Sequence, residues 1–125
     1  MPQDEVKTRI LVVEDETLIR MVGAEILEDA GFNVLEAADA DEALRILKAH
    51  DDVLLLFSDV DMPGSMDGLD LARVVHERWP DIRLLLTSGR HELTDAEIPD
   101  AGKFISKPWM SEKLLSDIRD LFAHR

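Results

Sequence analysis

Carboxylates, hydroxyls and an ammonium recur in this sequence directly after short apolar runs. Glu14-Asp15 follows Ile10-Leu11-Val12-Val13, and Asp59 and Asp61 follow Leu54-Leu55-Leu56-Phe57-Ser58. Thr87-Ser88 follows Leu84-Leu85-Leu86, and Ser106-Lys107 follows Phe104-Ile105. Brought together, two or three carboxylates with backbone carbonyl oxygens make a hard oxygen site suited to Mg2+, which keeps several of its waters. A carboxylate can also attack phosphorus and form an acyl phosphate. A lysine supplies a compact positive charge for phosphoryl oxygens, and a hydroxyl supplies a further donor. The stretch LLLFSDVDMPGSMDG, residues 54–68, poses the problem sharply. It crowds Asp59, Asp61 and Asp67 at the mouth of an apolar run in a chain of net charge -13. Repulsion and desolvation make such crowding costly unless a cation sits nearby. Taken singly, Glu14-Asp15 reads as a solvated turn and Lys107 as a surface lysine, so everything depends on whether the fold makes them converge.

Short apolar runs alternate with amphipathic segments along the chain. Runs at 10–13, 34–35, 53–57, 84–86 and 104–105 are nearly continuous in apolar residues, as in strands buried on both faces of a parallel sheet. Between them, Leu18, Val22 and Ile26 mark a first helix that ends before Gly31. Ala43, Leu44 and Leu47 mark a second, and Leu71, Ala72, Val75 and Trp79 a third, stopped by Pro80. Leu114, Leu115, Ile118, Leu121 and Phe122 mark the last, with Ser111 placed to cap it and Met110 to pack on Leu115. The segment 91–102 is polar and weakly periodic, and predicts only a short or irregular helix. The polar start, residues 1–8, reads as loose. Strand and helix alternate, which predicts a single α/β domain over residues 1–125: a doubly wound (βα)5, flavodoxin-like three-layer sandwich with parallel strand order 2-1-3-4-5. In that order the first, third, fourth and fifth strands are adjacent. Glu14, Asp15, Asp59, Ser88 and Lys107 then meet at one edge of the sheet.

Composition narrows the function. The chain has no cysteine, which excludes disulfides, zinc-thiolate sites and thiol catalysis. Its four histidines are scattered. Its longest apolar runs fall far short of the roughly 20 residues of a spanning helix. Lys7 and Arg9 precede too short a run for a secretory signal, so the expected location is cytoplasmic. Asp plus Glu total 27 against 14 Lys plus Arg, which argues against nucleic acid or an anionic membrane as a direct partner.

With these residues in view, the chain resembles the receiver domain of two-component response regulators over essentially its whole length. The resemblance rests on Glu14-Asp15, Asp59, Met62-Pro63-Gly64 through Asp67-Gly68, Ser88 and Lys107-Pro108. It implies that Asp59 accepts a phosphoryl group from a sensor histidine kinase or a histidine phosphotransfer protein. It implies Mg2+ held by Glu14, Asp15, Asp59 and the backbone carbonyl of Asp61, with Asp15 the more direct of the acidic pair. Ser88 would bond the phosphoryl group and Lys107 would pair with it. Ser88 is preferred to Thr87 because Gly89 follows it. Phe104, three before the lysine, would be the aromatic switch residue beside Ser88, and the Lys107-Pro108 bond would be cis. The implied product is a regulatory switch, not a turnover enzyme, that alters strands 4 and 5 and their helices for a downstream protein partner. It would act as a monomer or weak dimer. Because the chain ends just after the fifth helix, it reads as a single-domain regulator or a receiver cut from a longer chain.

Four features depart from the family pattern. The loop MPGSMDG carries an extra residue, Asp61 is charged where relatives carry apolar or neutral residues, the Ser88–Lys107 span is short, and Phe104 lacks a hydroxyl. Asp67 reads as a helix cap, Thr87 as a strand residue, and Trp79 and Trp109 as packing or surface groups. Two other functions compete. Asp59-Val60-Asp61 also looks like the nucleophile and acid/base pair of haloacid dehalogenase-type phosphatases, but the chain is too short and its acidic pair lies upstream. A receiver fold used purely for protein binding would have no need of the intact acceptor, metal and lysine positions.

Overall fold

The computed structural model describes residues 8–123. Its elements, in order, are β1 (Arg9–Val13), α1 (Thr17–Asp29), β2 (Asn33–Ala37), α2 (Ala40–Ala49), β3 (Val53–Asp59), α3 (Gly68–Arg78), β4 (Arg83–Ser88), a 3-10 turn (Asp95–Glu97), β5 (Lys103–Ser106) and α4 (Ser111–Ala123). All strands are parallel, in the order β2-β1-β3-β4-β5. The doubly wound, three-layer architecture and the strand order are therefore as expected. The reading of residues 1–7 as a loose tail falls outside the described residues. Thr8 is tied in, since its carbonyl accepts from Asn33 N at 2.9 Å.

The strand pleat explains the two cores. Alternate residues point to opposite faces, so Leu11, Val13, Leu56, Leu84 and Leu86 pack against α2 and α3. Ile10, Val12, Leu55, Phe57 and Leu85 pack against α4 and Leu27 of α1. A sheet covered on both faces explains why the strands read as unbroken apolar runs.

Two expectations need correction. The Leu18–Val22 stripe of α1 is not its core face: Leu18 is 76% exposed and Val22 52%, while Gly23, Ala24 and Leu27 are buried. The reason lies in β5's far end. Trp109 packs across α1 at Gly23, where an added Cβ would stand 3.0 Å from the indole. Small residues must face inward there, and the large ones turn out. The fourth connection is, as expected, only short and irregular. Between β4 and β5 there is one 3-10 turn, and Ile98, 3% exposed, with the partly buried Leu93, fills the place of a helical stripe. The segment has too few apolar residues to bury a helix face. Finally, α4 begins at Ser111 itself, with the Met110 carbonyl accepting from Leu114 N, and Met110 is 70% exposed rather than packed down.

Candidate functional site

The strand register levels the polar residues. Val13 is opposite Ser58, Asp59 opposite Thr87, and Ser88 opposite Ser106. Glu14 and Lys107, one residue beyond β1 and β5, therefore flank Asp59 at the carboxyl ends of the strands. Backbone bonds carry the ladder into the site: Glu14 N donates to Ala37 O, Val60 N to Thr87 O and Lys107 N to Ser88 O, at 3.0, 2.8 and 3.1 Å. The acidic turn has a further tie, since Arg20 of α1 donates to the Glu14 carbonyl at 2.8 Å.

Lys107 bridges the acids. Its Nζ donates to Glu14 Oε1 at 2.6 Å and to Asp59 Oδ2 at 3.1 Å. Burial by itself would lower the ammonium's pKa; hydrogen bonds to Glu14 and Asp59, with their charges, outweigh that and raise it above 10.5. Asp59 is 4% exposed, and its other oxygen accepts from Asp61 N at 3.2 Å. Glu14 is equally enclosed, and its second oxygen accepts from Glu16 N at 3.0 Å. Asp15 is exposed at the rim of a crevice of about 690 Å³ that also meets Asp59, Asp61, Asp67, Arg90 and Lys107. One carboxylate oxygen from each of Glu14, Asp15 and Asp59 falls within 4.8 Å of the others. Three clustered acids with a carbonyl nearby fit a hard divalent cation by donor chemistry. Glu14, with both oxygens already engaged, fits it less directly than Asp15.

Asp61 does more than its backbone. Its carboxylate accepts from Ser88 Oγ at 2.5 Å and lies 2.9 Å from His91 Nδ1. Asp67 does not enter the acid cluster. It caps α3 in a reciprocal capping box with Asp70. The extra loop residue is absorbed between two anchors: Met62 and Met66 pack on the core margin, while Pro63, Gly64 and Ser65 bulge into solvent. Gly64 turns the bulge at φ +104, a conformation that suits glycine.

Phe104 packs, partly buried, at the edge of the larger core, and its N–H donates to Asp95 Oδ1 at 3.1 Å. The Lys107-Pro108 bond is cis. Sequence reasoning missed two partnerships. One is Asp61 with His91. The other is Thr87 with Trp109, whose Nε1 donates to Thr87 Oγ1 at 2.8 Å. Each joins residues on or after different strands, so no local pattern could have announced them.

Comparison with known proteins agrees with this fold. Residues 10–119 match the family described as response regulator receiver domain. The chain is 36% identical over 116 residues to the sensor kinase CckA of Brucella abortus, covering 90% of this chain and 12% of that protein. It spans between 12 and 24% of the length of the first five curated relatives it matches. Its fold is similar to the signal receiver domain of an HD domain-containing protein from Pseudomonas fluorescens, with a TM-score of 0.84 at 28% identity, covering 94% of this chain and 96% of that one. A CheY-like receiver from Methanospirillum hungatei gives a TM-score of 0.81 at 30% identity, with 91% and 92% covered.

Proposed function

The chain belongs to the response regulator receiver domain family of two-component signalling, and from that premise we propose that Asp59 is the phospho-acceptor of a receiver spanning residues 1–125. The observation that carries this reading is Lys107 held between Glu14 and Asp59 at the end of a covered sheet. A buried carboxylate beside a fixed ammonium in an acidic crevice is built to receive an anion with its cation.

An Asp59 carboxylate oxygen attacks phosphorus of a phosphohistidine. The O–P bond forms as the P–N bond breaks, and the imidazole leaves, taking up a proton. The product is an acyl phosphate. Asp61 N–H, already on Asp59 Oδ1, orients the carboxylate. Lys107 can keep its contact with the phosphorylated side chain and offset its charge. Ser88 is the hydroxyl at the neighbouring strand end, positioned to bond the phosphoryl group. Mg2+, held by Asp15, Asp59 and the Asp61 carbonyl with Glu14 in support, would neutralise charge developing on the phosphoryl oxygens. Phe104 would respond sterically as β4 and β5 adjust.

The phosphodonor would be a sensor histidine kinase or histidine phosphotransfer protein, and the output a protein partner. An apolar groove of about 520 Å³ beside Lys107, lined by Leu18, Ile19, Val22, Pro108 and Trp109, supports a protein donor that covers the crevice as it delivers. The phosphatase reading is weakened, because the Asp61 carboxylate is turned to Ser88 and His91.

The test is intact mass after incubation with Mg2+ and acetyl phosphate. Wild type should gain one phosphoryl group and Asp59→Asn none. Absence of labelling in wild type, or equal labelling of the variant, would sink the assignment.

A further inference from the structure

A serine hydroxyl has one proton to donate and two lone pairs that accept. Ser88 has committed all of them. Its Oγ donates to Asp61 Oδ2 at 2.5 Å and accepts from Arg90 N and His91 N, each at 3.0 Å. Ser88 is 1% exposed, so solvent offers no alternative partner. The other oxygen of Asp61 sits 2.9 Å from His91 Nδ1. One carboxylate thus holds the start of the β4–β5 connection at two points. The far end is held by a second aspartate, since Asp95 accepts from Phe104 N. Between these ties the segment is largely exposed, with a single 3-10 turn.

Resting on the phospho-acceptor reading of Asp59, we propose that the Asp61 carboxylate is a built-in competitor of the phosphoryl group for the Ser88 hydroxyl. In the unphosphorylated protein it latches Ser88 and His91. Two anions cannot receive the same proton, so phosphorylation must draw Ser88 off Asp61. That exchange frees the segment from Arg90 to Asp95, and through the Asp95–Phe104 bond it reaches β5. Asp61 is a positioning residue here, because its carboxylate acts through Ser88 and touches no reacting atom. The exchange also weakens phosphoryl binding: Ser88 gains one charge-assisted hydrogen bond only by giving up another.

A double-mutant cycle read by beryllofluoride, an unreactive phosphoryl mimic, tests the latch. At saturating Mg2+, Asp61→Ala should bind beryllofluoride about tenfold more tightly than wild type, the value of one such hydrogen bond. Removing a negative charge near an anion also tightens binding, and the Ser88→Ala background separates the two effects. There the Asp61→Ala gain should fall to about twofold or less, the size of a screened charge effect. A gain undiminished by Ser88→Ala would overturn the latch, and so would unchanged affinity in Asp61→Ala. A ligand-free readout is independent of metal: the Arg90 and His91 amides should exchange hydrogen faster in Asp61→Ala, and equal protection would again overturn the proposal. Asp61→Asn keeps the side-chain shape should the alanine variant unfold, and should give a smaller gain of the same sign that also collapses with Ser88→Ala. If wild type neither binds beryllofluoride nor gains mass from acetyl phosphate, the phospho-acceptor reading falls and the latch with it. If wild type does both and the cycle shows no coupling, the latch alone falls.

Discussion

Thr87 and Trp109 show how much one hydrogen bond between a strand and a loop can organise. Thr87 stands opposite Asp59 and next to Ser88, and Trp109 lies two residues beyond Lys107. Their bond draws the Lys107 loop onto β4. Thr87→Val keeps the shape but strands the indole N–H, and should cost about 1–3 kcal/mol in urea denaturation. Thr87→Ser should recover most of that. The acidic pair separates by role at the same scale. Glu14 spends both oxygens inside the protein, whereas Asp15 faces the crevice. Asp15→Asn should therefore weaken Mg2+ binding, followed by titration of the ligand-free protein, at least tenfold. Glu14→Gln should change that affinity less and should chiefly loosen Lys107, lowering thermal stability. A Glu14→Gln variant that loses Mg2+ as completely as Asp15→Asn would reverse this division.

Among the elements, α1 and α4 carry the least expected features. Gly23 is the notch in α1 that admits Trp109. Alanine there gains helix propensity of about 1 kcal/mol, but its Cβ meets the indole at 3.0 Å and the ring must give. Valine adds bulk that the ring cannot absorb. In a Trp79→Phe background, Gly23→Val should shift Trp109 fluorescence to the red and lower the melting temperature, and an unshifted spectrum would refute the packing argument. On α4, Asp117 is 3% exposed and is tied to Lys113 at 2.8 Å, while its Oδ2 has no partner among the described residues. A buried carboxylate held by one half-solvated lysine is a poor source of stability. Lys113→Met should destabilise by about 1–2 kcal/mol, discounted for the lysine's exposure. Asp117→Leu should be neutral or stabilising. The hydrogen bond to Asp117 raises the Lys113 pKa above 10.5. A cation with a raised pKa contributes fully below its unfolded value. The contribution should persist through neutral pH and fade as pH rises past 10.5 through the folded value, visible as a decline steeper in wild type than in Lys113→Met.

At the scale of the molecule, an acidic crevice sits beside an apolar rim. Leu18, Met21 and Val22 of α1 and Met110 before α4 are all exposed. Leu18 and Val22 line the apolar groove beside Lys107, the kind of exposed apolar surface that suits a partner. On the proposed reading a small phosphodonor would need only the crevice, whereas a protein donor would need the rim as well. Leu18→Lys with Val22→Lys should slow transfer from a cognate phosphohistidine protein at least tenfold and leave acetyl phosphate labelling unchanged. Equal slowing of both donors would mean that the change had damaged the crevice itself. Among the described residues no helix is long and apolar enough to cross a membrane.

Much of this was legible in the sequence because it depends on local pattern. Unbroken apolar runs identify strands covered on both faces, right-handed crossovers limit their order, and that order gathers Glu14, Asp15, Asp59, Ser88 and Lys107. Asp67 as a cap follows from its place before an amphipathic run. What tertiary structure decided lies between segments distant in the chain. The α1 stripe was misread because periodicity marks an apolar face without saying what covers it, and Trp109 took the place opposite Gly23. The side chain of Asp61 had no role until folding brought Ser88 and His91 within reach. Partners separated by many residues meet only when the register and loop paths are set, and no propensity of either residue encodes that meeting.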